Sequence, residues 1–171
     1  FAEREFETGV YMIGLNENNM CPVILNPTEK TVELQFSGVK LENSMSSSNS
    51  KENMGWSVYS QQEPALLKAI KDAKVVAAKT PEKKAEFDKQ LVAKEKELLN
   101  LQKKMIADYP GTQLAKLMVW KQEPNRTEIR KYWDNVDFGD VSITRSRVLS
   151  DRIESFMRLF SKGSDSGFYS C

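Results

Sequence analysis

The sequence predicts an α+β protein in which an N-terminal antiparallel β meander or partial sandwich is followed by a helical bundle. Short apolar runs separated by turn residues fill the first quarter of the chain, and a serine- and asparagine-rich stretch at 44–50 follows them. Beyond that stretch, apolar residues recur at three- and four-residue steps, which place them on one face of a helix. The expected organisation is a β region at 1–49, a helical domain at 50–162 and a flexible tail at 163–171.

Three or four short strands are expected in the β region, the fourth being the open case. They are expected at residues 10–15, 20–25, 31–36 and 39–43. Val32, Leu34 and Phe36 alternate with polar residues, which indicates a half-buried antiparallel strand. The serines of 44–50 predict a surface loop or a flexible linker to the helical domain, because their hydroxyls compete for backbone hydrogen bonds.

The helical domain begins with a stretch in which Pro64 starts or kinks a helix. Thr80 as N-cap and Pro81 at the first helical position then open the clearest helix of the chain. Its apolar residues follow a heptad-like spacing at Phe87, Leu91, Leu98, Leu101 and Met105. Residues 78–108 are therefore expected to pack on the preceding helix as an antiparallel hairpin, with a coiled-coil dimerisation arm as the alternative.

Two further helices complete the predicted domain. Thr112 caps the first, which carries Leu114, Leu117 and Trp120 and is broken by residues 122–126. The last is an amphipathic helix whose apolar positions are Val148, Leu149, Ile153, Phe156, Met157 and Phe160.

Composition excludes several classes of function. The 171 residues contain no histidine, which removes serine- and cysteine-histidine catalysis and the commonest zinc ligand. The net charge of +1 argues against nucleic acid as a partner. The two cysteines lie far apart as Cys21 and Cys171. Cys21 is expected to be a small core residue in a strand, and a Cys21–Cys171 disulfide remains the alternative.

An acidic-aromatic segment near residue 136 holds the candidate site residues. Asp134, Asp137 and Asp140 are spaced three apart, and such oxygen clusters attract calcium, but the spacing is not that of an EF-hand loop. We therefore expect Asp137 and Asp140 to be turn or cap residues that hold Trp133 and Phe138 in the core. No catalytic residue, metal or cofactor is expected.

The aromatic residues suggest one more kind of site. Trp56, Tyr59, Trp120, Trp133 and Phe138 would suit a groove for a glycan or a peptide if they were exposed together. At helical spacing or beside turn residues, aromatic side chains are more often part of the core. Both interpretations stay open at this point.

The acidic-aromatic segment also resembles a family signature. The stretch YWDNVDFGD at 132–140, followed by Arg145 and Val148-Leu149, resembles the F-W-D-N-I-D-F-S-D … R-T-P-V-L pattern. That pattern belongs to the helical domain before the thioredoxin domain in extracytoplasmic Bacteroidota proteins related to the TlpA/ResA thiol-disulfide oxidoreductases. SKEN at 50–53 and YPGTQLAK at 109–116 resemble that group's G-S-x-E-N and N-P-N-T-x-x-A-K patterns.

The resemblance implies an exported protein, periplasmic or a membrane-anchored lipoprotein, in which this chain is the non-catalytic N-terminal region. Its partners would be a thioredoxin domain C-terminal to it, a protein client of that domain and a second copy. The redox motif C-x-x-C of the group is absent from these 171 residues, so no thiol-disulfide chemistry is expected here. Arg147 stands where the group has proline, and Gly139 where it has serine. Arg145, Trp133 and the three aspartates are then structural or interaction residues, and a free-standing glycan- or peptide-binding protein is the alternative function.

Overall fold

The computed structural model describes residues 6–41, 44–122, 131–134 and 136–163, and it confirms the α+β class. The strands are β1 (Gly9–Asn16), β2 (Asn19–Leu25), β3 (Leu34–Phe36) and β4 (Met45–Ser47). The helices are α1 (Lys51–Lys79), α2 (Lys84–Asp108), α3 (Gln113–Lys121), α4 (Val141–Thr144) and α5 (Arg147–Gly163). A 3₁₀ turn at Pro81–Lys83 joins α1 to α2. Of the predicted tail at 163–171, Gly163 is the last residue of α5, and 164–171 with Cys171 lie outside the described residues, so the Cys21–Cys171 disulfide stays a prediction.

The strands form two separate antiparallel hairpins, β1–β2 and β3–β4, rather than one meander. The optional fourth strand at 39–43 is wrong where the structure describes it, since residues 38–40 form bends and Leu41 lies in a 3₁₀ turn, while 42–43 lie outside the described residues. The predicted loop or linker at 44–50 is also wrong, because it contains β4 and leads directly into α1. Two of its polar side chains bond to the residue that precedes β3: Ser47 donates to the Glu33 carbonyl, and Asn49 accepts from the Glu33 N–H.

The long helices α1 and α2 pack as the predicted antiparallel hairpin. Leu101 and Met105 of the predicted seam are buried, and the Lys74 ammonium lies 3.2 Å from the Glu95 carboxylate across the two helices. Pro64 lies inside α1, so of its two predicted roles the start of a helix is wrong. Thr80 precedes the 3₁₀ turn without a side-chain cap bond, and α2 begins only at Lys84. The alternative of a coiled-coil dimerisation arm stays a prediction.

The β region and the helices share one hydrophobic core. The core includes Cys21, Val23 and Ile24 of β2, Trp56 and Tyr59 of α1, Met105 of α2 and Leu114, Leu117 and Met118 of α3. Gly55 allows α1 to approach α3, because a Cβ atom there would lie 2.3 Å from Leu114 Cδ2. Cys21 is 1% exposed, as expected for a small core residue in a strand. The core therefore joins the two predicted regions directly.

Candidate functional site

The aromatic side chains of the acidic-aromatic segment form a cluster with neighbours from α3 and α5. The Trp133 ring lies 5.0 Å from Tyr132, 5.3 Å from Phe138 and 5.2 Å from Phe156, measured between ring centroids. Tyr132 is fully buried and Trp133 is half-buried, whereas Phe138 is 64% exposed. The prediction that Phe138 lies in the core is therefore wrong. Phe138 instead covers the outer side of the Trp133 and Trp120 rings.

Arg152 of α5 packs against this aromatic cluster, and its guanidinium is the charged group among the rings. The side chain is 8% exposed and donates to the Trp120 carbonyl at 2.9 Å and the Tyr132 carbonyl at 2.8 Å. The Tyr132 hydroxyl donates back to the Arg152 carbonyl at 3.0 Å. The guanidinium carbon also lies within 6.0 Å of three ring centroids, a favourable cation–π arrangement. Arg152 therefore ties the end of α3, the Tyr132 turn and α5 together.

The aspartates of the segment make turns and caps, as predicted for two of them. Asp137 accepts a hydrogen bond from the Gly139 N–H at 2.8 Å, which closes a turn. Asp140 is the N-cap of α4, accepting from the Ser142 N–H at 3.1 Å, and it pairs with Lys116 at 2.7 Å. Asp134 is exposed, and Asn135 lies outside the described residues. In the described part of the chain no three acidic or cysteine side chains converge to hold a metal ion.

Arg145 lies outside the aromatic cluster, where α4 meets the start of β1. Its side chain pairs with Glu7, and its carbonyl accepts from the Val10 N–H at 3.2 Å. A cavity of about 370 Å³ opens beside it, with Arg145–Glu7 on one side and Lys116–Asp140 on the other. Because each acid in this cavity faces a base, the predicted residues Asp140 and Arg145 share a neutral, ion-paired opening.

The five aromatic residues proposed for a groove do not form one. Trp56, Tyr59 and Trp120 are at most 8% exposed. Trp56 and Tyr59 lie beside each other in the core, with ring centroids 6.1 Å apart, whereas Trp120 belongs to the cluster around Arg152. Only Phe138, with the half-buried Trp133 behind it, presents an aromatic surface from this set.

Glu52 of α1, like Arg152, is a polar residue whose role sequence reasoning missed. Its side chain is 2% exposed, and its two oxygens accept from the Gln113 and Leu114 N–H groups, each at 2.9 Å. These N–H groups belong to the first turn of α3, where a helix lacks internal acceptors and favours a negative charge. The Asn26 amide donates to the same carboxylate at 3.1 Å. One carboxylate thus joins α1, α3 and the end of β2.

Ser50 and Asn53 extend this joint to the β region. Asn53 accepts from the Ile24 N–H at 2.9 Å and donates to the Ile24 carbonyl at 2.8 Å, so its amide replaces a strand on the outer edge of β2. Ser50 caps α1 by accepting from the Asn53 N–H, and its hydroxyl donates to Glu29 at 2.6 Å. The SKEN and YPGTQLAK stretches, separate in sequence, therefore meet in space through Glu52.

The Lys116 ammonium and the Ser142 hydroxyl and N–H hold the pKa of Asp140 below its usual range. Because the folded-state pKa is lowered, Asp140 contributes stability above its unfolded-state pKa and loses it as pH falls through the folded value. We expect Asp140→Asn, which keeps an N-cap, to cost up to about 1 kcal/mol near neutral pH. That difference from wild type should vanish in acid when urea unfolding is followed by circular dichroism.

The exposed Asp134→Asn is the matched control, expected to change the free energy of unfolding by less than about 0.5 kcal/mol. A wild-type–Asp140→Asn difference that does not depend on pH would contradict the ion pair with Lys116.

A scan against profiles of known families and searches of characterised proteins and solved structures match no family, protein or structure. The likeness of residues 132–140, 50–53 and 109–116 to the TlpA/ResA-related group therefore stays a prediction.

Proposed function

We propose that this chain is the non-catalytic N-terminal region of an exported thioredoxin-like protein, in which it serves as a spacer, client-binding or dimerisation module. The observation that carries the proposal is that the side chains of the motif residues bind the backbone of the fold itself. Glu52, Asn53 and Asp140 all hold backbone groups of neighbouring elements. A catalytic side chain has to face a substrate, whereas these make joints inside the fold.

The joints suit a spacer, because a spacer must hold its neighbours at a fixed geometry. Glu52 joins α1 to α3, and Arg152 joins α3 to α5, so a continuous path of hydrogen-bonded joints runs from the end of β2 to the last helix. The α5 helix also presents Ile153 and Met157, 44% and 61% exposed, on the side away from Arg152. The predicted apolar face of this helix is thus divided between the core and an outer stripe. That stripe is the surface on which we place a thioredoxin domain.

The exported location belongs to the same proposal and rests on the resemblance. None of the helices in the described ranges is long and apolar enough to cross a membrane.

We expect dithiothreitol to reduce insulin no faster in the presence of the isolated chain than without protein. The physical reason is that Cys21 is 1% exposed and no C-x-x-C pair is present. Insulin turbidity measures the reaction, with Cys171→Ser as the matched variant. Reduction above background by both proteins would contradict the non-catalytic role.

The free-standing glycan- or peptide-binding protein is the second candidate, and the exposed Phe138 beside Trp133 and Trp120 favours it. The coding sequence after Cys171 separates the two candidates. A C-x-x-C motif there supports the thioredoxin-linked region, whereas a stop codon supports the free-standing protein.

A further inference from the structure

The register of the β1–β2 hairpin determines which backbone groups point outward at its two edges. Val10 lies opposite Ile24, and the Ile24 N–H and carbonyl both bond outward to Asn53. The Val10 N–H also points outward, to the Arg145 carbonyl. Val10 and Ile24 are therefore a non-hydrogen-bonded pair. In an antiparallel ladder, hydrogen-bonded and non-hydrogen-bonded pairs alternate along the strands. On β1 the outward-facing residues are Val10, Met12 and Gly14.

One of these edges is closed and the other is open. On β2, Asn53 covers Ile24, and Pro22, opposite Met12, has no N–H to offer. On β1, Arg145 covers Val10, but no strand in the described ranges pairs with the backbone of Met12 or Gly14. An edge of this kind is a template for another strand.

The open edge is apolar, and a register irregularity between Gly14 and Asn16 interrupts it only near its end. No charged residue occurs from 9 to 16, and Met12, Ile13 and Leu15 are 53%, 39% and 77% exposed. Edge strands that stay single normally carry lysine or proline. A partner strand would remove both the free backbone groups and these side chains from water.

We propose that β1 of a second copy pairs antiparallel with this edge, with Met12 opposite Gly14 and Ile13 on the two-fold axis. Each Met12–Gly14 pair then exchanges both backbone hydrogen bonds, and the two hairpins become one continuous sheet. The proposal locates the dimerisation surface that the proposed function includes. It uses only the outward groups that β1 leaves open.

The unpaired backbone groups favour this register over its neighbour. With Met12 opposite Met12 of the second copy, Gly14 of the second copy would have to pair with Val10, whose N–H already donates to the Arg145 carbonyl. A two-fold pairing lays β1 against itself, and residues 9–16 carry no charge, so no like charges meet along the paired strands.

Sedimentation equilibrium of the wild-type chain tests the proposal first. We expect the mass to rise with concentration from one chain to two. Met12→Lys places a charge on the edge and should keep the mass at one chain. Val39→Lys is the matched control, because Val39 is 89% exposed and lies on neither strand, and it should associate like wild type.

Cross-linking tests the register. Ile13 would face its own copy as a non-hydrogen-bonded pair, with a Cα separation of about 4.5 Å, which a disulfide can span. In a chain carrying Cys21→Ala and Cys171→Ser, Ile13→Cys should oxidise to a linked dimer. Leu15→Cys, which would face Tyr11 of the second copy, should not.

A wild-type chain that keeps the mass of one chain at all concentrations would overturn the proposal, as would a Met12→Lys variant that still associates. If Met12→Lys fails to fold, the cross-link decides, and an unlinked Ile13→Cys overturns the register. None of these results bears on insulin reduction, so the non-catalytic role is tested separately.

Discussion

Replacing Glu52 with alanine is expected to lower the free energy of unfolding by about 3 kcal/mol, because the buried N–H groups of Gln113 and Leu114 then lack an acceptor. The Asn26 amide loses its partner as well. Glu52→Gln keeps one acceptor oxygen but loses the charge at the α3 terminus, so it should cost about half as much. Urea unfolding followed by circular dichroism measures both variants.

Glu86→Ala is the matched control for Glu52. Glu86 lies in the first turn of α2, as Glu52 lies in the first turn of α1, but it is exposed. Its replacement should change the free energy of unfolding by about 0.5 kcal/mol or less. Equal losses for Glu52→Ala and Glu86→Ala would mean that the contacts with Gln113 and Leu114 contribute nothing.

Replacing Arg152 with methionine is expected to cost about 2–3 kcal/mol, although methionine retains much of the apolar contact. The reason is that the Trp120 and Tyr132 carbonyls lose a charged donor and the surrounding rings lose their cation. Arg152→Lys should recover only part of the loss, because an ammonium lacks the planar fork that reaches both carbonyls.

Near-ultraviolet circular dichroism adds a structural readout for Arg152, since Trp120 and Trp133 both lie against the guanidinium. Arg152→Met should weaken the tryptophan bands even where the protein remains folded. Arg158→Met, on the exposed side of α5, should leave the bands and the stability unchanged. Bands identical in wild type and Arg152→Met would show that Arg152 does not order the aromatic cluster.

Helices were the part of the fold that local sequence signals could predict. Thr112 is the N-cap of α3, accepting from the Ala115 N–H at 3.1 Å, and Asp140 is the N-cap of α4. Leu101 and Met105 of the α2 seam are buried, as expected from a heptad-like spacing that keeps such residues on one side of the helix. Caps and periodicity depend on residues a few positions apart, so they can be read without the rest of the fold.

The β region was predicted less well because its pairings are not local. Nothing in the spacing of Met45 and Ser47 indicates that β3 offers them a partner, so the serine-rich stretch resembled a linker. The exposure of Phe138 also depends on what α3 and α5 place beneath it. Strand pairing and burial are decided by partners that are distant in sequence.

The structural roles of Glu52 and Arg152 were missed for a related reason, although the sequence around each residue contains an indication of its role. Glu52 follows the N-cap Ser50 by two positions and bonds to residues 61 and 62 positions further along. Arg152 lies one helical turn from both Val148 and Phe156, so it interrupts an otherwise apolar face of α5. A charged residue within an apolar helical face is a signal for a buried polar joint.

Hydrogen exchange at the Gln113 and Leu114 amides tests most directly the central claim that the motif residues build joints. The account predicts that both amides are protected in the wild-type chain, because Glu52 accepts their hydrogen bonds in the core. In Glu52→Gln these two amides should exchange faster, and in Glu86→Gln they should exchange as in wild type. Rapid exchange of both amides in the folded wild-type chain would contradict the account.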